Sequence, residues 1–422
     1  MRQKTFWIAA SCILAVIALR PLFSSGAAPA STEKVIYSFT GGNDGEYPSS
    51  DLTLDSEGNL YGTTTDGGGT CVYHGVQYPG CGTVFELKRG ADGWKEQVIH
   101  SFKAGNEGSF PGAGVIFDKV GNLYGTTTGF DAEDGNVFKL TPNLRGGWTE
   151  SVLYRFSSGF WPQPSLVFDS QGNLFGVTPD SVFELMPQSN GSWKEVTLHN
   201  FTGAPDGAIP SSAVVLDSLG NVYGLTESGG TGMCEYVTRV PGCGIVYELT
   251  PTSDGKWTET IIYEFARGGG FAVNPMGGLI LDNASHLFGT TVAGGNGIGT
   301  VFELTRLQKG WEQRVLHRFY GNPDGENPLG KLEKRSDGVL FGVTSRGGKS
   351  DAGSGTVFEL EPSETNGWRE RILHSFAGGR DGSNPLAGVV SDSQGHLYGT
   401  TQTGGSGTGC NESCGTVYEI TP

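Results

Sequence analysis

Residues 55–64 read DSEGNLYGTT, and that string decides the fold because it keeps returning. DKVGNLYGTT starts at Asp118, DSQGNLFGVT at Asp169, DSLGNVYGLT at Asp217 and DNASHLFGTT at Asp282. RSDGVLFGVT at Arg335 and DSQGHLYGTT at Asp392 bring the copies to seven, about 56 residues apart. Self-similarity at a fixed period marks a repeat architecture before any single strand is assigned.

A second string accompanies each copy: GTVFEL at Gly82, Gly299 and Gly355, GNVFKL at Gly135, DSVFEL at Asp180, GIVYEL at Gly244 and GTVYEI at Gly415. A third ends in Tyr/His-x-Phe, as in WKEQVIHSF, WTESVLYRF and WRERILHSF. Trp94, Trp148, Trp193, Trp257, Trp311 and Trp368 open six of these, and VIYSF near the start lacks the Trp. With a small-residue run ending in Asp, such as AVVLD, each unit holds four β-branched or aromatic runs between Gly/Asp/Asn turns, which is a strand signature. Asp-x-x-Gly-Asn makes a tight hairpin between the first two, and segments such as KRGADG join the last two. The expected fold is all-β: a seven-bladed β-propeller of four-stranded antiparallel blades, one domain over residues 31–422.

The phase of the repeat predicts how the ring closes. The chain opens with an orphan fourth strand (35–39) and ends on a blade holding three (387–392, 396–401, 415–420). Exposed sheet edges are a liability that pairing removes, so strand 35–39 is expected to complete the last blade. An open β-solenoid is the rival, but its end copies would turn into polar caps, and here they stay apolar.

Composition agrees. Of 422 residues 70 are Gly and 20 Pro, without the three-residue period of collagen. Hydrophobic residues at 36% exclude a disordered chain, and 17% charged residues without heptads exclude a coiled coil. A formal charge of −16 disfavours nucleic acid as a partner.

Residues 1–30 read as a secretory signal peptide: Arg2 and Lys4, an apolar run from Thr5 to Leu19, then small residues to Ala30. That run is shorter than the ~20 residues a spanning helix needs. Cleavage would remove Arg2, Lys4 and Arg20 and no acid, taking the charge from −16 to −19. The mature chain is expected to be secreted, extracellular or periplasmic, without a membrane span, and monomeric. Six cysteines then remain, in three local pairs: Cys71 with Cys81, Cys234 with Cys243, Cys410 with Cys414. Each pair flanks the loop between the second and third strands, which suits disulfides in an oxidising compartment better than a zinc module.

In an up-down blade the 2–3 and 4–1′ loops share one face. They are the long, variable ones here, so that face is where binding is expected. Asp-Gly-x-x-Pro recurs there at Asp44, Asp206, Asp324 and Asp381 and reads as turn chemistry. His100, His199, His317 and His374 share a slot with Tyr37, Tyr154 and Tyr263 and read as scaffold. Phe110, Phe130, Phe160 and Trp161 lie in long-face connections outside the repeated strings, beside blades whose 2–3 loops are short. Such rings can stack on sugar faces or anchor a partner, and they are the candidate ligand-binding residues. Scattered loop residues (Glu227, Glu235, Arg239, Arg267, Arg346, Arg380) could converge near the channel. No nucleophile elbow, P-loop or dinucleotide fingerprint occurs, so no catalytic residue, metal ligand or cofactor is expected.

GNLYGTT, GGxxGxGTVFEL and HSFxGxxDGxxP together resemble the GloVer-type tandem repeat of exported bacterial proteins, named for the Gloeobacter and Verrucomicrobia groups. The resemblance covers nearly all of 35–422 and implies an extracellular or surface-attached bacterial protein; it brings no catalytic residues. The turn grammar is also similar to NHL and lactonase-type propellers. The expected function is non-catalytic binding of carbohydrate or protein through the long-loop face. The alternative is an extracellular hydrolase, lactonase or lyase working at the channel mouth.

Overall fold

The repeated strings pair in one register throughout. Leu60–Thr64 runs antiparallel to Thr83–Gly90 with Gly62 opposite Phe85. A Cβ on Gly62 would stand 2.7 Å from the Phe85 ring and 2.8 Å from Leu52, so the glycine makes the space in which the third-strand aromatic lies. Gly125 under Phe138 and Gly289 under Phe302 repeat this at 2.6 and 2.7 Å.

The hairpin before it is closed by one carboxylate. Asp55 Oδ1 accepts the Glu57 and Asn59 N–H groups at 2.8 and 2.9 Å, and Oδ2 accepts the Asn59 amide and the Tyr61 hydroxyl. Asp118, Asp169, Asp217, Asp282 and Asp392 cap their turns likewise. In the Arg335 copy the acid has moved to Asp337, which takes the Val339 N–H and the Arg335 guanidinium.

A computed structural model describes residues 30–129, 135–157, 163–234, 241–266, 272–294, 298–349, 353–363, 367–410 and 413–422. It forms seven antiparallel blades in chain order. The first runs Thr53–Leu54, Leu60–Thr64, Thr83–Gly90, Gly93–Ser101 from axis to rim. The fourth blade adds Gly207–Pro210, and the 2–3 loop of the first carries a small hairpin, Cys71–Tyr73 with Val76–Tyr78. Helix among the described residues is limited to two three-residue 3-10 turns, and no helix is long and apolar enough to cross a membrane.

The ring closes as the phase of the repeat requires. Thr32–Ser38 pairs antiparallel with Thr416–Thr421, outside Leu397–Thr401 and Val390–Ser391. The strand starts three residues earlier than expected because Thr32–Lys34 continue the register opposite Glu419–Thr421. Phe39 lies just beyond it and donates its N–H to the Gly415 carbonyl.

Aromatic rings explain the Tyr/His-x-Phe ending. At all seven seams the Phe after the fourth strand packs edge-on or tilted against the third-strand ring of the next blade, with centroids 5.0–5.4 Å apart. Phe376 on Tyr418 and Phe39 on Phe85 carry this across the closure. The Trp that opens a fourth strand packs back on the second-strand ring of the preceding blade, as Trp148 does on Tyr61 and Trp257 on Phe175. These buried rings dominate the inter-blade core.

Candidate functional site

The Asp-Gly of the 4–1′ connections is turn chemistry with a second use. Asp44, Asp206, Asp324 and Asp381 each accept the N–H of the residue that follows the seam Phe (Thr40, Thr202, Tyr320, Ala377). Each is also held by the repeated Tyr/His slot. The Tyr37 hydroxyl donates to Asp44 at 2.9 Å, and His199, His317 and His374 place Nε2 3.1–3.3 Å from their aspartates. A glutamate from the next blade's outermost strand completes the cluster: Glu96, Glu259, Glu370 and Glu33 respectively. In the three His clusters the candidate ligating atoms lie within 4.8 Å of one another.

Burial, then the neighbouring aspartate, pushes Glu96 up to about 7 and Glu370 up to about 8. Burial pushes Glu33 up to about 7, with the Asp381 charge helping and the His374 ring opposing. Burial also works to raise Asp381, but hydrogen bonds from His374 and the Ala377 N–H outweigh it and hold that carboxyl below the usual range. A phenol at Tyr37 takes the place of the imidazole in one cluster, and Gln313 takes the place of the glutamate on the fifth blade, so the propeller stands without the full set at every seam. These clusters sit on scaffold positions.

Along the axis the channel is walled by small residues, among them Ser50, Gly112, Ala113 and Ser212, around a space of about 160 Å³. Asp51 and Lys331 are its charged groups, and Asp51 Oδ1 accepts the Gly388 N–H at 2.8 Å. Toward the hairpin face it widens to about 620 Å³ between aliphatic first strands.

On the long-loop face a polar recess of about 440 Å³ opens over the sixth blade, bounded by Asn322, Glu326, Arg346, Ser354, Ser383 and Asn384. Tyr320, on the connection that supplies Asn322, is 62% exposed. Arg346 is paired through its backbone with Glu326 and is itself exposed. The disulfides Cys71–Cys81, Cys234–Cys243 and Cys410–Cys414 close three other 2–3 loops on this face.

Of the residues singled out from sequence, Phe110 is half-buried against the core that contains Cys71 and Cys81. It fills a repeated slot before proline with φ of 55°, the slot of Tyr47, Ile209, Asn274, Asn327 and Asn384, and so differs from the expectation that it lay outside the repeat. Phe130, Phe160 and Trp161, with Glu235, Arg239 and Arg267, lie outside the described residues. Arg346 belongs to the recess and not to the channel. Tyr320 was passed over, although comparing the copies at the residue after the seam Phe would have found it.

Two stretches of the chain, 23–237 and 232–422, match the model of the Gloeobacter/Verrucomicrobia repeat. Among solved structures, a streptogramin B lyase is 15% identical over 93% of this chain and 97% of its own, with a TM-score of 0.53. Virginiamycin B lyase from Staphylococcus aureus is 14% identical over 93% and 99%, with a TM-score of 0.52. The extracellular domain of a hybrid two-component system from B. thetaiotaomicron is 12% identical over 91% of this chain and 39% of that one, at 0.54. Identities this low show a common fold and nothing more. No curated protein matches the chain in sequence. With three recurring strings in fixed order and both family matches spanning the ring, the chain belongs to the Gloeobacter/Verrucomicrobia repeat family.

Proposed function

We propose that this is an exported, non-catalytic propeller that binds a carbohydrate through its long-loop face, at the recess over the sixth blade. One observation carries the reading: departures from the repeat converge there. Arg346 stands where other blades have Asp66, Gly129, Ser228, Ala293 and Thr403. Tyr320 stands where they have Thr40, Lys103, Ser157, Thr202, Ala266 and Ala377. In a repeat protein the shared residues build the scaffold, and the unshared ones are free for function. An exposed ring beside amide, hydroxyl and guanidinium groups suits a hydroxyl-rich ligand with an apolar sugar face.

Phe110, Phe130, Phe160 and Trp161 remain part of the proposal as a second contact on the same face. A glycan array probed with the secreted protein tests the reading. Retention of a defined glycan, weakened about tenfold or more by Tyr320→Ala at unchanged thermal stability, supports it. Failure to retain any glycan overturns it. Trp161→Ala, run alongside, reports whether the second contact takes part.

The hydrolase, lactonase or lyase reading asks for a catalytic set at the channel mouth. Among the described residues the charged groups there are Asp51 and Lys331, set among Ser, Gly and Ala, which favours binding over turnover.

A further inference from the structure

Three cations stand on the connections around the recess at positions where the other blades have none. On a chain of formal charge −16, Arg346, Lys349 and Arg380 stand exposed on two of the three connections that frame it. All three are departures. Lys349 takes the place of Gly69, Thr231 and Ser406, and Arg380 takes the place of Asn43, Asn106, Pro205 and Pro323. Among the described residues no carboxylate pairs with any of them. Arg371, by contrast, is paired with Glu359 and Lys334 with Asp282. Glu326, the one acid bounding the recess, meets Arg346 only through backbone hydrogen bonds of 2.9 and 3.2 Å.

Unpaired guanidinium groups are unspent binding capacity, since a planar fork matches a carboxylate or sulfate with two parallel hydrogen bonds. The remaining lining (Asn322, Asn384, Ser354, Ser383) offers amides and hydroxyls, and Tyr320 offers a ring face. We infer that the recess selects acidic saccharides: Arg346 takes the sugar's anionic group with Lys349 and Arg380 beside it, while Tyr320 stacks on the ring. The inference rests on the glycan-binding reading above and adds the ligand's chemical class. It also explains how an acidic protein holds an acidic polymer, because the local cations must oppose a repulsive net field.

The experiment compares five immobilised probes on the full secreted chain: oligogalacturonate, its methyl ester, a sulfated glycosaminoglycan, a neutral gluco-oligosaccharide and polyglutamate. The expected result is retention of an acidic probe, loss on esterification, and weakening as salt rises from 50 to 500 mM on the order of tenfold. Arg346→Gln lowers acidic binding about tenfold, and Arg346→Lys restores part of it, with thermal stability unchanged in both. Galacturonate held over sulfate identifies a carboxylate, and the reverse a sulfate; either supports the inference. Neutral and acidic probes bound alike, with no response to Arg346→Gln, would overturn it and leave the glycan reading standing. Polyglutamate retained as well as galacturonate also overturns it, since charge alone would then suffice. No probe retained, neutral included, removes both.

Discussion

Gly62, Phe85 and their six counterparts show how much a single position can dictate. The third-strand aromatic is Phe in five blades and Tyr in two, Tyr247 and Tyr418. Both hydroxyls are buried without a hydrogen-bond partner among the described residues, and burial holds both phenols far above their ordinary pKa. A buried unsatisfied hydroxyl costs about 1–3 kcal/mol. Tyr247→Phe is therefore expected to leave stability unchanged or raise it by up to about 1 kcal/mol, read from urea unfolding. A clear loss would mean that a water or a residue outside the described set satisfies the hydroxyl. The candidate site was only half legible at this scale. Arg346 and Arg380 stand out in the sequence as loop cations, but their common neighbourhood depends on backbone contacts between connections, Glu326 with Arg346 and the Asn384 N–H on the Ser354 carbonyl.

At the scale of the element, the outermost strands carry a chemistry that no one copy of the repeat reveals. Each seam cluster joins an Asp and a Tyr or His of one blade to a Glu of the next, and at the closure Glu33 meets Asp381 across nearly the whole chain. The sequence displays each residue as part of a pattern, but which copies touch follows only from the ring. The clusters make stability depend on pH with a definite sign. Glu33 and Glu96 are raised from 4.5 to about 7 and Glu370 to about 8. Glu150, at the same position of the second blade's outermost strand, is raised to about 7 by burial and the nearby Glu107. Between about 4.5 and 8 the folded state therefore holds more protons than the unfolded one. Their contribution is full below pH 4.5 and is lost as pH rises through 7–8. His100, pushed down by burial to about 4, works the other way below 6.5, but it is one group against four. Below about pH 4, Asp118, Asp381 and Asp392, held under their ordinary range, take up protons and stability falls again. Melting temperature is expected to be higher at pH 5 than at pH 8. Since the glutamates are half-exposed, each seam supplies well under the ~1.4 kcal/mol per pK unit of a sealed site. Glu96→Gln, with Gln313 as its natural precedent, should flatten the pH dependence; an unchanged profile would exclude the seams as its source.

For the molecule as a whole, the architecture was legible because seven copies share one grammar and one phase offset, and the closing strand follows from the offset alone. The rest was hidden for a physical reason. The channel, the recess and the seams are made between blades, from residues whose proximity is set by curvature and register. Closure carries its own prediction. Removing residues 31–40 strips the outermost strand from the last blade, bares the edge of Thr416–Thr421 and takes Phe39 off Phe85. Such a chain is expected to aggregate or melt far earlier, by light scattering and calorimetry, and an added peptide of residues 31–40 should partly restore it. A truncated chain that stays monomeric and equally stable would show the seal to be dispensable.

Thr32 faces Thr421 in the closing pair, so the two ends of the propeller ring are immediate neighbours. The ring's topology does not require the backbone break to fall at this seam. A circular permutant with a short Gly-Ser bridge from Pro422 to Ser31, reopened at the exposed turn Asn143–Gly147, should fold to the same ring. Its new ends would part the third and fourth strands of the second blade, so that blade would become the one closed by both ends. One long-range closure replaces another, and the refolding rate is expected to stay close to that of the parent chain.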